Sequence, residues 1–265
     1  MERLSRIKRA IKDKKRLLVM FSGGLDSTLL ARLAYDSLGE DSIGVTIDSP
    51  IVPRVDIKDA KQLAEKIGIG QEIININELG NKEFANNSPD RCYICRKIRD
   101  KTVTSWARGN GFDVIADGMN YSDFDDYRPG LKASDEDGIW HPFMEFKVTK
   151  EDIRRYFSAL DLPAWDKPAT VCLCSRFPYG FGLNKGLIRR VERAEAYLKE
   201  LGFKWVRVRC FPYDTALVEV EDLKGAIRKK DEILSELRGI GFLFVSLDLE
   251  GFESGKMNRL VQTKR

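Results

Sequence analysis

Residues 17–30 read Leu17-Leu-Val-Met-Phe-Ser-Gly-Gly-Leu-Asp-Ser-Thr-Leu-Leu30. The first five are a short apolar run, the length of a buried strand. Ser22, Gly23 and Gly24 end it. From Asp26 to Leu38 the apolar residues Leu29, Leu30, Leu33 and Ala34 fall on one helical face, and Gly39 stops the helix. A strand that turns through two glycines into a helix is suited to an anion. The glycines permit a sharp turn and a close backbone approach, and the first amides of the helix are unpaired donors at its positive end. Ser22, Ser27 and Thr28 add hydroxyls, and Asp26 either orients these groups or helps to hold Mg2+. The Walker A ending and the G-x-G-x-x-G dinucleotide fingerprint are both missing. The bland alternative is a serine-capped turn. The whole combination, in the first β-α unit, favours phosphate.

Outward from this loop the pattern repeats. Strands are expected at Ser42–Asp48, Glu72–Ile76 and Asp113–Ala116, with helices at Ile57–Ile67 and Arg91–Arg108. Strands alternating with helices predict an α/β fold with a doubly wound parallel sheet. Residues 117–148 read as long loops, and Thr149–Leu160 as a helix with Thr149 as its cap and Asp152 as its N3 acid. After a Pro- and Gly-rich stretch the order changes to helix Leu187–Leu201, strands Lys204–Phe211 and Thr215–Val220, helix Leu223–Leu237 and strand Phe242–Leu249. We expect a first domain over 1–165, a cysteine-bearing linker over 166–186 and a smaller α+β domain over 187–265.

The 265 residues are 43% hydrophobic and 32% charged, which argues against a disordered chain or a small disulfide scaffold. With 45 Lys and Arg against 41 Asp and Glu, the net charge of +4 is low for a nucleic-acid protein, and no nucleic-acid partner is expected. No membrane span is visible, and the basic N-terminus lacks a signal-peptide core, so a cytoplasmic location is expected. In that compartment the five cysteines (92, 95, 172, 174 and 210) are mostly reduced, and close pairs point to metal or redox chemistry before disulfides. Cys92 and Cys95, three apart, face one side of a helix or turn; the alternative is a buried pair of small side chains. Cys210, in a strand, reads as core. Arg207 and Arg209 alternate onto one strand face, where they either bind a phosphate or line a solvated surface. Arg176 binds an adenylate or substrate phosphate, or makes a surface ion pair. Asp117 and Asn120 end a strand at the sheet's carboxyl edge, where ligands bind. Asp123, Asp125 and Asp126 are metal ligands or an ordinary acidic loop. His141 reads as structural, and Trp106, Trp165 and Trp205 as core or interface.

Ser22-Gly-Gly-Leu-Asp-Ser27 resembles the pyrophosphate loop (PP-loop) of the ATP pyrophosphatase superfamily, which adenylates an oxygen and releases pyrophosphate. Further stretches narrow the resemblance: Asn87-Ser-Pro-Asp-Arg-Cys-Tyr-Ile-Cys95, Asp117-Gly-Met-Asn120, Asp126-Tyr-Arg-Pro-Gly-Leu-Lys-Ala133, Thr149-Lys-Glu-Asp-Ile-Arg154, and Trp165 through Cys172-Leu-Cys-Ser-Arg-Phe-Pro-Tyr-Gly180. Together they are similar to the LarE-like sulfur transferases that mature the nickel-pincer cofactor of lactate racemase. The resemblance implies a PP-loop (adenine nucleotide α-hydrolase) fold and ATP and Mg2+ at Ser22, Gly23, Gly24, Asp26, Ser27, Thr28, Asp117 and Gly118. It implies a pyridinium mononucleotide substrate whose carboxylate is adenylated and then made a thiocarboxylate, with its phosphate near Arg207 and Arg209. Asp26, Cys172 and Arg176 are the catalytic positions it suggests. Cys172 stands at the family's sulfur-donor cysteine, which some members sacrifice. Other members hold a [4Fe-4S] cluster on three cysteines, and Cys92, Cys95 and Cys172 match that kind, with sulfide or another donor as partner. Cys174 departs from the family's usual small residue and is an alternative ligand. Ala216-Leu-Val-Glu219 lacks an arginine that the family often has. A homo-oligomer is expected. The competing functions are a tRNA thiolase and an amide-forming ATP pyrophosphatase with a structural zinc site.

Overall fold

The computed structural model describes residues 2–125, 129–160, 171–253 and 256–259. Asp126, Trp165 and the first linker residues, 166–170, lie outside them. In chain order the helices and strands begin α1 (Glu2–Asp13), β1 (Leu17–Met20), α2 (Leu25–Leu38), β2 (Ser42–Asp48), α3 (Arg54–Ile67) and β3 (Gly70–Asn75). They continue with α4 (Lys82–Ala85), α5 (Arg91–Gly109), β4 (Ile115–Ala116), α6 (Pro129–Glu136), α7 (Pro142–Glu145) and α8 (Lys150–Ala159). The rest are α9 (Lys185–Glu200), β5 (Val206–Phe211), β6 (Thr215–Val220), α10 (Leu223–Arg228), α11 (Lys230–Ile240) and β7 (Phe244–Leu247). They fall into two compact units, one within Met1–Ile76 and Cys92–Thr170, the other within Asn77–Arg91 and Val171–Arg265.

The first unit holds a four-stranded parallel sheet in the order β3-β2-β1-β4. β1 is buried on both faces, which is why its sequence is an unbroken apolar run. Leu17, Val19 and Phe21 pack with residues of α1, α2, α3 and α8; Leu18 packs the other way, with Val103 and Ala107 of α5. Right-handed crossovers explain the division. The chain steps from β1 to β2 to β3 in one direction, placing α2 and α3 on one face, then returns beyond β1 to β4 and places α5 on the other. The reversal leaves a switch point between the carboxyl ends of β1 and β4. The basic N-terminal segment is α1, docked through Leu4, Ile7 and Ile11. The capping box of α8 forms as expected, with the Thr149 side chain accepting from the Asp152 amide. β4 is shorter than its sequence suggests, pairing with β1 only at Leu18–Ile115 and Val19–Ala116. No helix among the described residues is long and apolar enough to cross a membrane.

In the second unit β5 and β6 are antiparallel and β7 runs parallel to β6. Ile188, Val191, Ala194 and Leu198 form the buried stripe of α9, and Val206, Val208 and Cys210 the buried face of β5. The helix expected over 223–237 is two helices, parted at Lys229, whose ammonium reaches the Leu201 carbonyl at 2.6 Å. The sequence reading carried residues 77–91 along with the first sheet. The structure packs them in this unit: the Leu183 amide donates to Ala85 O at 2.7 Å, the Gly180 amide to Asn87 O at 2.9 Å, and the Asn87 side chain to Pro178 O at 2.7 Å.

Candidate active site

The glycine loop lies at the switch point. Gly23 takes φ +70°, and a Cβ there would stand 2.9 Å from the Cα of Ala60, so glycine is needed for conformation and for space. Gly24 is the N-cap of α2 and no side chain caps the helix, which leaves its first turn open to an anion. Ser22 and Ser27 brace the loop: their hydroxyls are 3.0 Å apart, the Ser22 amide donates to Ser27 Oγ at 3.2 Å, and the Gly24 amide donates to Ser22 Oγ at 3.3 Å. Thr28 Oγ1 is fully buried with no hydrogen-bond partner among the described residues.

The loop after β4 comes against the same helix end. A Cβ on Gly118 would stand 2.7 Å from the Ser27 nitrogen, and Asn120 Nδ2 donates to Asp26 Oδ2 at 3.2 Å. Asp117 is buried. It accepts from Arg96 Nη2 at 2.7 Å and from the Met119 amide at 3.1 Å, and lies 2.6 Å from His141 Nδ1. Burial alone would raise its pKa; His141 and Arg96 overcome that and hold the carboxyl below the usual carboxylate range. Arg96 also donates to Asp100 at 2.7 Å. Its burial works against the charge, but the two carboxylates raise its pKa above the ordinary arginine value. Asp100 itself is pushed up by burial.

In the second unit, Cys172 caps a short 3-10 turn, Leu173–Arg176. Arg176 is buried and paired with Glu195 through both guanidinium edges, at 2.8 and 2.9 Å. Arg209 is buried and paired the same way with Glu219, at 2.8 and 3.0 Å. Arg207 and Arg209 share a strand face, as alternation requires, yet only Arg209 is neutralised. Glu219 lies opposite Arg207 in register but gives its carboxylate to Arg209. Arg207 rests 5.1 Å from the ring centre of Phe252. Burial first, then Arg176 and Arg209, pull its pKa down to about 10 against the opposing pull of Glu195 and Glu219.

A family model described as NAD synthase matches residues 5–121. The chain is 38% identical over 252 residues to the pyridinium-3,5-bisthiocarboxylic acid mononucleotide synthase of Lactiplantibacillus plantarum, spanning 94% of this chain and 91% of that one. The chain belongs to the LarE-like family of PP-loop sulfur transferases. An uncharacterized protein of Synechocystis is also 38% identical, over 98% of both chains. A tRNA-specific 2-thiouridylase of Desulforamulus reducens is 28% identical over 61% of this chain and 55% of its own.

In this LarE-like chain Cys172 is half-buried and Cys174 fully buried, so the two thiols two residues apart differ in access. Cys92 and Cys95 lie in the first turn of α5, exposed and half-buried. Among the described residues no group of three or more His, Cys, Asp or Glu side chains is placed to hold a metal ion. Cys210 is core, as its strand suggested, and burial pushes its thiol up to about 11. Trp106 stacks on Phe112 at 6.2 Å, and Trp205 is 42% exposed beside Phe252.

His141 reads as structural from the sequence, and its ring meets Asp117. The sequence reading missed Arg96, Glu195 and Glu219. Arg96 and Asp100 stand one turn apart, a legible helical pair. Glu195 is an acid on the apolar stripe of α9, and a buried acid needs a partner. Neither signal names the partner that the fold supplies.

Proposed function

We propose that this enzyme adenylates a carboxylate of pyridinium-3,5-biscarboxylic acid mononucleotide and converts it to a thiocarboxylate. The observation that carries this is the glycine loop at the switch point, with Gly118 of the β4 loop against the helix end that faces the phosphates. A carboxylate is a poor electrophile because oxide is a poor leaving group. Its oxygen attacks the α-phosphorus of ATP, the bond from that phosphorus to the bridging oxygen breaks, and pyrophosphate leaves. A sulfur nucleophile then attacks the acyl carbon, the bond to AMP breaks, and the thiocarboxylate remains. The α2 amides and the hydroxyls of Ser22 and Ser27 stabilise charge on the departing pyrophosphate. Asp26 is the residue to hold Mg2+, which supplies further charge neutralisation. Asp117, committed to Arg96 and His141, shapes the site through its loop. Arg207 meets the substrate's phosphate, with Arg209 beside it.

Cys172 presents the sulfur. We propose its supply as a [4Fe-4S] cluster on Cys92, Cys95 and Cys172, a set that leaves one iron open to external sulfide. The support is the spacing of the two α5 thiols and the half-exposed position of Cys172. The tRNA thiolase alternative is disfavoured by coverage: that match spans 61% of the chain, against 94% for the mononucleotide synthase.

The test is product analysis with MgATP and the biscarboxylic mononucleotide. AMP and pyrophosphate are expected, with strong loss in Asp26→Ala; ADP and phosphate would refute the assignment. Anaerobic reconstitution should give an iron-sulfur absorption band and multiple turnovers with sulfide. Single turnover, with the mass of one hydrogen sulfide lost at Cys172, would replace the cluster by a sacrificed side chain.

A further inference from the structure

The turn that carries Cys172 is held by two buried ion pairs of the same design. In each, a carboxylate takes Nε and Nη2 of an arginine and leaves Nη1 to reach the turn. Glu195 of α9 fixes Arg176, whose Nη1 donates to Ser175 Oγ at 2.8 Å, Val171 O at 3.1 Å and Cys172 O at 3.3 Å. Glu219 of β6 fixes Arg209, whose Nη1 donates to Ser175 O at 2.8 Å. The turn closes on itself through the Ser175 amide and hydroxyl, which donate to Cys172 O at 3.1 and 3.0 Å. Glu195 Oε1 also accepts the Val208 amide of β5 at 3.0 Å, so one carboxylate ties helix, strand and turn together.

Four buried charges are a costly way to stabilise a small domain. Replacing such pairs by apolar side chains of similar volume is often neutral or stabilising. Their benefit is directional, because a bidentate guanidinium has one orientation, and here that orientation sets three carbonyls of the turn.

We propose that Glu195 and Glu219 are positioning residues for sulfur transfer: through Arg176 and Arg209 they fix the Val171–Ser175 backbone and so the direction in which the Cys172 thiol is presented. This rests on Cys172 being the sulfur-presenting residue.

The test is the paired apolar replacement Arg176→Met with Glu195→Leu, in the full chain. The thermal midpoint and ATP binding should match wild type, while sulfur transfer falls roughly 100-fold, the scale of a misplaced reacting atom. At one fixed pH, alkylation of Cys172 by iodoacetamide, followed by peptide mass, should change by about tenfold as the turn loosens. Wild-type transfer and alkylation rates in the folded double variant would overturn the proposal. Should that variant fail to fold, Glu195→Gln serves. It keeps shape and an acceptor for Val208 but weakens the hold on Arg176, and it should show the same two changes; their absence overturns the proposal. Arg176→Lys should show the same two changes, since an ammonium lacks the fork. Sulfur transfer persisting in Cys172→Ala would instead defeat the underlying functional reading, whereas the alkylation rate reports on the positioning alone.

Discussion

Two single residues carry opposite kinds of constraint. Gly118 has no side chain because the nitrogen of Ser27 occupies the space one would need, 2.7 Å from the ideal Cβ position. Gly118→Ala must push the β4 loop away from the start of α2, the proposed phosphate site. We expect nucleotide affinity to fall at least about tenfold, as for a displaced anion-binding amide set, with helix content unchanged. Isothermal titration with MgATP checks this, and wild-type affinity would show that the contact is slack. Arg207 is constrained by charge: it is half-buried, lies near Arg176 and Arg209, and makes no ion pair among the described residues. A desolvated cation without an anion costs stability, a common exchange at binding sites. Arg207→Met should therefore raise the thermal midpoint of the ligand-free protein while weakening the phosphate-bearing substrate. A lowered midpoint together with full substrate affinity would contradict both halves.

Elements are linked through Asp117, where β4, α5 and the start of α7 meet as carboxylate, guanidinium and imidazole. The depressed pKa of this carboxyl sets the sign of its pH effect. Its ionised form is favoured in the folded state, so the stabilisation is complete above the ordinary carboxylate range and is lost as pH falls through the lower folded value. Asp117→Asn removes the charge that Arg96 and His141 face. It should cost about 3 kcal/mol near neutral pH, as for a broken buried pair. The gap from wild type should shrink as pH drops below the carboxylate range. Denaturant unfolding from pH 7 to 3 measures it, and a gap independent of pH would remove Asp117 as the titrating group.

Across the whole molecule the proposed function assigns one ligand to each unit, ATP to the glycine loop of the first and the mononucleotide phosphate to Arg207 of the second. MgATP at 100 times its dissociation constant should add about 2.7 kcal/mol of stability, an increment that Asp26→Ala abolishes and Arg207→Met preserves. The mononucleotide should show the reverse dependence in a thermal-shift titration. If Arg207→Met weakens both ligands equally, phosphate recognition does not belong to the second unit.

Local patterns determined most of the first sheet. A five-residue apolar run closed by a glycine pair reads as a buried strand and a tight turn, and the Thr149–Asp152 cap is complete within four residues. The parity of Arg207 and Arg209 was equally legible, because alternation in a strand needs no knowledge of its neighbours. Tertiary structure decided what each charge meets. Nothing in the sequence tells that Glu219 takes Arg209 and leaves Arg207 without a carboxylate among the described residues, or that Glu195, ten residues into α9, closes on Arg176. It also decided that residues 77–91 pack with the cysteine-bearing segment: Asn87 and Pro178 are 91 residues apart and 2.7 Å from each other. The physical reason is the range of the forces. Propensity, capping and alternation act within a few residues, whereas the partner of a buried charge is chosen by whichever elements the fold brings beside it, since an unpaired charge in the interior is costly.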